Sequence, residues 1–322
     1  MDILHDFLIK KDKGYYCPYG DFYIDPLYPV RDALVSHAHA DHASPGHQHI
    51  YCTESTAAFM GVRYPKQAKS SYLIKNFDQE FEINSVKITL FPAGHILGSA
   101  QILMVYRGVR YLYTGDYKLQ FDPTCEPIQI VEADVLITET TFANPDTQHP
   151  DPIAEIKKLN VGSNILLGCY SLGKSQRITA LINEYCPEKE VLIHYQMLPL
   201  HKIYDALGPK TLTYQLYNRK LMKEGNANKI YLVPPLTFNS YRRATNVLKA
   251  FASGWDRLQV QNEISLYISD HVDWQDILQF IKQVKPKVIW TLHGDGRKLH
   301  AYFSEELEIR DIESQTFLPS YC

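Results

Sequence analysis

Three histidines and an aspartate are crowded into residues 37–42, which have the sequence HAHADH. The apolar run ALV at residues 33–35, just before them, predicts the end of a buried strand. Residues two apart in an extended segment share a face, so His37 and His39 can reach one ion together. Asp41 and His42 follow the strand end, where the chain can turn toward a second ion. Imidazole and carboxylate are ligands that zinc accepts, so the segment predicts a metal centre at a sheet edge.

Three later segments also carry a polar residue at the C-terminal end of a strand-like run. His95 follows the run VKITL, Asp116 follows VRYL and His293 follows KVI, each with a glycine nearby that permits a tight turn. Loops at strand ends are where a rigid sheet presents functional side chains. We therefore expect these three residues to complete the metal centre.

The order of these motifs resembles that of the metallo-β-lactamase superfamily, whose HxHxDH motif is matched at every fixed position. The resemblance implies an α/β fold, a four-layered αββα sandwich with two divalent metal ions, most simply Zn with Mn as an alternative. The implied ligands are His37, His39 and His95 for the first metal, Asp41, His42 and His293 for the second, and Asp116 as the bridge. Asp25 would orient a ligand histidine; alternatively, it is a turn residue before Pro26.

The pattern changes near residue 143, where a segment dense in proline and turn formers begins. Beyond it, helical segments at 153–159 and 175–185 alternate with strand-like segments at 164–167, 191–194 and 229–233. This alternation predicts a small parallel-sheet unit. Because His293 comes later, the unit must be an insertion. We predict a first domain in two parts, 1–143 and 252–322, and an inserted domain at 144–251.

Residues 168–175, GCYSLGKS, match the phosphate-loop pattern GxxxxGK[ST] between a predicted strand and a predicted helix. Bulky residues inside the loop and the lack of a following magnesium-binding aspartate argue against that function, so we expect no nucleotide cofactor. The segment YSLGKSQR resembles instead the β-CASP insertion of nucleic-acid-processing members, in its Artemis-type version. On this resemblance Lys174, Arg177 and Ser99 are expected to bind nucleic acid, since a helix N-terminus favours phosphate.

Two further motifs of the β-CASP group are matched, Glu139 after the run VLIT and His271 in SDHVDW. The resemblance implies catalysis in which two metals activate a hydroxide nucleophile, with Asp41 contributing through the second metal. His271 would act as general acid for the leaving oxygen, and Glu139 would orient its imidazole. A helix cap is the alternative role for His271.

Nearly the whole chain resembles the bacterial ligase-associated DNA exonucleases, which implies DNA repair and a DNA ligase and a helicase as partners. At the position of His293, however, the RNA-processing branch has histidine, so an endo- or exoribonuclease of the same fold stays an alternative. A small-molecule hydrolase and a metal-free scaffold subunit are less favoured, because of the insertion and the complete ligand set. Cleavage polarity and oligomeric state stay open.

Composition sets broader limits. The 322 residues are 45% hydrophobic, enough for two cores, and the net charge of −3 gives no global basic field for nucleic acid. Six scattered cysteines without a CxxC pair, and no leader-like segment, predict reduced thiols in a cytoplasmic protein. The longest apolar runs are strand-sized, so no membrane association is expected.

Overall fold

The computed structural model describes residues 2–223, 227–241, 243–294, 296–303 and 306–313, and Cys322 lies outside them. Three sheets and eight helices account for most of this part of the chain. Short 3₁₀ turns cover Lys69–Ser71, Tyr195–Met197 and Asp256–Leu258. Within the described residues, no helix has the length and apolarity that crossing a bilayer requires.

The first sheet is formed by the N-terminal strands β1 Ile9–Lys11, β2 Gly14–Cys17, β3 Phe22–Ile24, β4 Asp32–Leu34, β5 His49–Cys52 and β6 Tyr72–Ile74. They are adjacent in chain order, antiparallel from β1 to β3 and parallel from β3 to β6. Helix α1, Glu54–Arg63, follows β5, and the Thr53 side chain caps its first turn. Phe59 and Met60 of α1 are buried against the outer face of this sheet.

The second sheet contains β7 Glu80–Ile83, β8 Val86–Pro92, β9 Ala100–Tyr106, β10 Val109–Tyr113, β11 Val135–Glu139, β18 Val288–Leu292 and β19 Glu308–Asp311. Their order is β19-β18-β11-β10-β9-β8-β7. Strands β7 to β10 are antiparallel neighbours, whereas β10, β11, β18 and β19 are parallel. Helices α7, Trp274–Val284, and α8, Arg297–Phe303, cover the outer face.

The third sheet is built from the chain between β11 and β18. Its strands are β12 Ile165–Gly168, β13 Glu190–Ile193, β14 Gln215–Leu216, β15 Lys229–Val233, β16 Leu248–Ala252 and β17 Ile264–Leu266, all parallel in the order β14-β13-β15-β12-β16-β17. Its helices are α2 Pro152–Lys157, α3 Lys174–Tyr185, α4 Leu198–Leu207, α5 Arg219–Lys223 and α6 Pro235–Ser240. The predicted alternation of strands and helices is confirmed, and β17 continues the sheet beyond the predicted boundary at 251.

The first and second sheets pack face to face around a fully buried apolar core. Ile24 and Leu34 of the first sheet meet Leu90, Ile102 and Trp290 of the second in this core. Helices lie on the outer face of each sheet, and α4 of the third-sheet segment packs beside α1. The protein is therefore a mixed α/β sandwich with a further parallel sheet, in agreement with the predicted α/β class.

Candidate active site

The ends of several strands meet at one edge of the sandwich. His37 and His39 follow β4, His95 follows β8 and Asp116 follows β10, while Glu139 ends β11 and His293 follows β18. Strands β8, β10, β11 and β18 run in the same direction, so their carboxyl ends share one edge. Non-adjacent parts of the sequence therefore converge on one site, as the strand-end positions predicted.

A first cluster joins three imidazoles and a carboxylate. His39 Nδ1 lies 3.1 Å from His37 Nε2 and 3.0 Å from His95 Nε2. Asp116 Oδ2 is 3.6 Å from His37 Nε2 and 3.8 Å from His95 Nε2. One ligand atom of each of these four residues lies within 4.8 Å of all the others.

Backbone carbonyls hold two of these rings in the orientation that a metal requires. The carbonyl of Asp270 lies 2.7 Å from His95 Nδ1, and the carbonyl of Leu172 lies 3.1 Å from His39 Nε2. A carbonyl only accepts, so these nitrogens carry the protons. The lone pairs of His95 Nε2 and His39 Nδ1 are left facing the centre of the cluster.

A second cluster joins His42, Asp116 and His293. His42 Nε2 lies 3.5 Å from Asp116 Oδ2, and the rings of His42 and His293 are stacked with centroids 5.0 Å apart. His42 Nε2 is buried and has no hydrogen-bond partner among the described residues. The Asp41 side chain is 73% exposed, and its Oδ2 is 3.9 Å from His42 Nε2, so Asp41 stands at the rim of this cluster.

Asp25 fixes His42 from behind. Its buried carboxylate lies 2.7 Å from His42 Nδ1 and accepts hydrogen bonds from Ser36 N at 2.7 Å, Ser36 Oγ at 2.6 Å and Tyr113 Oη at 2.9 Å. With its other nitrogen engaged by Asp25, His42 presents Nε2 to the cluster. The structure thus places Asp25 where sequence reasoning expected an orienting residue.

The third group pairs His271 with Glu139. His271 Nδ1 lies 2.9 Å from Glu139 Oε2 and 3.9 Å from Asp116 Oδ2. Glu139 is fully buried and also accepts from Tyr117 N and from Thr141 Oγ1. The His271 side chain keeps 26% of its surface exposed, so its free edge can meet a substrate.

Burial and charge shift the pKa values of the histidines in two directions. For His42, burial opposes the charged form, but the carboxylates of Asp116 and Asp25 outweigh it and raise the pKa. Burial lowers the pKa of His37, His39 and His95, which are therefore neutral and able to bind a metal. For His271, burial opposes the charged form, but the carboxylates of Glu139 and Asp116 outweigh it and raise the pKa to about 9. His271 is therefore protonated at neutral pH, as a proton donor must be.

The donor set fits two divalent metal ions. Ligands 2.0–2.1 Å from a tetrahedral zinc ion lie about 3.3 Å apart, close to the nitrogen separations in the first cluster. The unpartnered Nε2 of His42 fits the second ion, because a buried polar atom without a partner costs free energy unless something binds it. The six residues that could hold the ions are His37, His39, His42, His95, Asp116 and His293.

The residues expected to bind nucleic acid are placed differently. Lys174 lines the cleft beside the clusters, but it is 5% exposed and its Nζ lies 3.6 Å from Asp270 Oδ2. Arg177 is fully buried and donates to the carbonyl of Ser269 at 2.7 Å. The buried Ser99 hydroxyl accepts from the backbone amides of the turn that carries His95. Arg177 and Ser99 thus do not reach a surface that nucleic acid could touch.

The cleft lies between the sandwich and the third sheet, and sequence reasoning did not single out its aromatic residues. Its lining includes His39, Asp41, Arg63, His95, Asp116, Phe142, Tyr170, Leu172, Lys174, Gly254, Trp255, Asp270 and His271. Tyr170 follows β12 and Trp255 follows β16. Both residues follow strand ends, the signal that predicted the metal ligands, but their strands become neighbours only in the folded sheet.

Known proteins match from about half to nearly all of this chain. The chain is 31% identical over 325 residues to a probable DNA ligase of Opitutus terrae, covering 95% of this chain and 30% of that protein. It is 29% identical over 228 residues to endoribonuclease ysh1 of Aspergillus fumigatus, covering 57% of this chain and 26% of that protein. It is 32% identical over 185 residues to an RNase J-like protein of Methanocaldococcus jannaschii, covering 48% of this chain and 44% of that protein.

The chain spans less than half the length of each of these relatives. No protein-family model matches it. A crystal structure of a protein of unknown function from Enterococcus faecalis superposes with a TM-score of 0.60 at 14% identity, covering 87% of this chain and 80% of that one. At that identity the likeness shows a shared fold.

Proposed function

The chain belongs to the metallo-β-lactamase/β-CASP family, and from that premise we propose that it is a metal-dependent DNA exonuclease. We also propose that its fold is the αββα sandwich of that family, with the third sheet as the β-CASP insertion. The observation that carries the nuclease proposal is the position of Asp116. Its Oδ2 lies within 3.9 Å of both histidine clusters and of His271.

The six clustered residues would hold two ions, which we propose to be zinc. When bound, such ions polarise a phosphodiester and supply a hydroxide nucleophile at neutral pH. His271 gives its proton to the departing oxygen, and Glu139 keeps the imidazole charged and directed into the cleft. Asp25 holds His42 in place, and the carbonyls of Leu172 and Asp270 hold His39 and His95.

The choice of DNA rests on the extent of the relatives' matches. The probable DNA ligase aligns with 95% of this chain, whereas the endoribonuclease and the RNase J-like protein align with 57% and 48%. The name of the first relative also supports a DNA ligase as partner. The second candidate function is a ribonuclease, which the names of the other two relatives and the histidine at position 293 favour.

The test is digestion of end-labelled DNA and RNA of the same sequence, with metal analysis of the protein. We expect shortening of the DNA from one end, loss of activity with a chelator, and about two metal equivalents per chain. RNA degraded at equal or better efficiency would replace the DNA assignment with the ribonuclease candidate. His293→Ala should lose one metal equivalent and its activity. The control is His300→Ala, at an exposed histidine of α8, which should keep its metal content and its activity.

A further inference from the structure

Three neighbouring strands of the third sheet bring a row of rings to the cleft. Strands β12, β16 and β17 are parallel and adjacent, and their carboxyl ends are followed by Tyr170, Trp255 and His271. Neighbouring strands in a sheet lie about 4.8 Å apart. The two aromatic residues therefore line the same cleft as the histidine proposed as general acid.

Trp255 is an exposed ring held by a buried one. The ring centroids of Trp255 and Phe142 are 4.5 Å apart, and those of Phe142 and His271 are 6.1 Å apart. Phe142 is 6% exposed, but Trp255 is 40% exposed at the cleft. Phe142 thus supports Trp255 and connects it to the reacting end of the cleft.

Tyr170 is also open to the cleft. It is 53% exposed, which is much for a large ring beside buried metal-ligand candidates. It also lines an adjoining cavity together with Lys249 and Arg257. The Arg257 guanidinium lies 5.2 Å from the Trp255 ring centroid, and Lys174 Nζ lies 5.5 Å from that of Tyr170. Each ring therefore has a cation beside it.

We propose that Trp255 and Tyr170 stack on unpaired bases of the substrate and so select a single-stranded end. An exposed ring with a neighbouring cation is the arrangement that holds a nucleotide without reading its sequence, because every base has a face to stack. Within a duplex both faces of a base are covered by neighbouring pairs, and a blunt end leaves open only the outer face of its last pair, so an unpaired base can engage these rings more fully. This inference rests on the proposed function and adds its substrate class.

The kinetic test compares two single-stranded oligonucleotides that differ only at the end, where one carries ordinary nucleotides and the other abasic ones. Trp255→Ala should raise KM on the ordinary end about 5- to 150-fold, the range for one lost stacking contact, and should change KM little on the abasic end. Tyr170→Ala should follow the same pattern, and Trp255→Phe should recover most of the loss. Tyr28→Ala is the matched control, since Tyr28 is 59% exposed and lies outside the cleft lining.

A binding measurement separates this inference from the proposed function. The fluorescence of 2-aminopurine at the oligonucleotide end should fall when the wild-type protein binds, and it should fall much less with Trp255→Ala. Quenching without any hydrolysis would refute the nuclease proposal and leave the stacking proposal standing. Any of three results would overturn the stacking proposal. These are hydrolysis without quenching, an equal rise in KM on the abasic end for Trp255→Ala, and degradation of a blunt duplex as fast as a single strand.

Discussion

At the scale of single residues, His271 faces the carboxylates of Glu139 and Asp116 and keeps part of its side chain exposed at the cleft. Its pKa is raised to about 9, so the protonated form is present below that pH and is lost above it. We expect the rate to fall as the pH rises through about 9. Glu139→Gln removes the main source of the raised pKa, so that decline should move to lower pH. The pH profile of kcat/KM for both proteins checks this, and an unshifted profile would contradict it.

Replacing the imidazole itself tests the proton transfer. His271→Ala should keep both metals but lose roughly 10²–10⁴ in rate, the usual size of a general-acid contribution. The loss should shrink on a nitrophenyl phosphodiester, because its acidic leaving group needs no proton. His42→Ala is the comparison, since it should lose a metal equivalent and fail on both substrates. Loss of metal from His271→Ala would show that His271 is a ligand.

At the scale of elements, the turn from β12 into α3 links the third sheet to the first histidine cluster. Gly173 has φ +81°, and a Cβ there would lie 2.2 Å from Ile96 Cγ2. Gly173→Ala should lower the free energy of unfolding by about 1–3 kcal/mol and weaken metal binding, because the neighbouring Leu172 carbonyl holds His39. Gly162→Ala, where a Cβ meets nothing within 4 Å, is the control for denaturation and metal titration. Equal stability of the two variants would contradict this account.

The same turn shows what the sequence could predict and what it could not. Residues 164–167, the GKS segment and the apolar positions of 175–185 predicted a strand, a turn and a helix, and the structure has the strand at Ile165–Gly168 and the helix at Lys174–Tyr185. The two-residue spacing of His37 and His39 also predicted that these side chains lie close together. The burial of Lys174 and Arg177 depends on packing against Asp270, far along the chain, so it could not be predicted. The place of Trp255 at the cleft also depends on contacts between distant parts of the chain, so the sequence did not predict it.

At the scale of the whole molecule, a buried network of charges joins the sandwich to the third sheet. Lys118 and Asp122 come from the segment after β10, Lys174 and Arg177 come from α3, and Asp270 follows β17. All five side chains are almost fully buried. Since the Asp270 carbonyl holds His95 and His271 is the next residue, this network sets the position of the third sheet against the catalytic groups.

Arg177→Met removes one charge of this network while keeping much of the volume. The free energy of unfolding should fall by about 3–5 kcal/mol, because Asp270 and Asp122 lose a buried partner. Lys87→Met, in an exposed pair with Glu80, should leave the free energy of unfolding nearly unchanged. Arg177→Met should also slow catalysis but leave the salt dependence of nucleic-acid binding unchanged, because the Arg177 side chain is buried. A slope shallower by about one in a log–log salt titration would instead indicate a lost phosphate contact and refute the structural role.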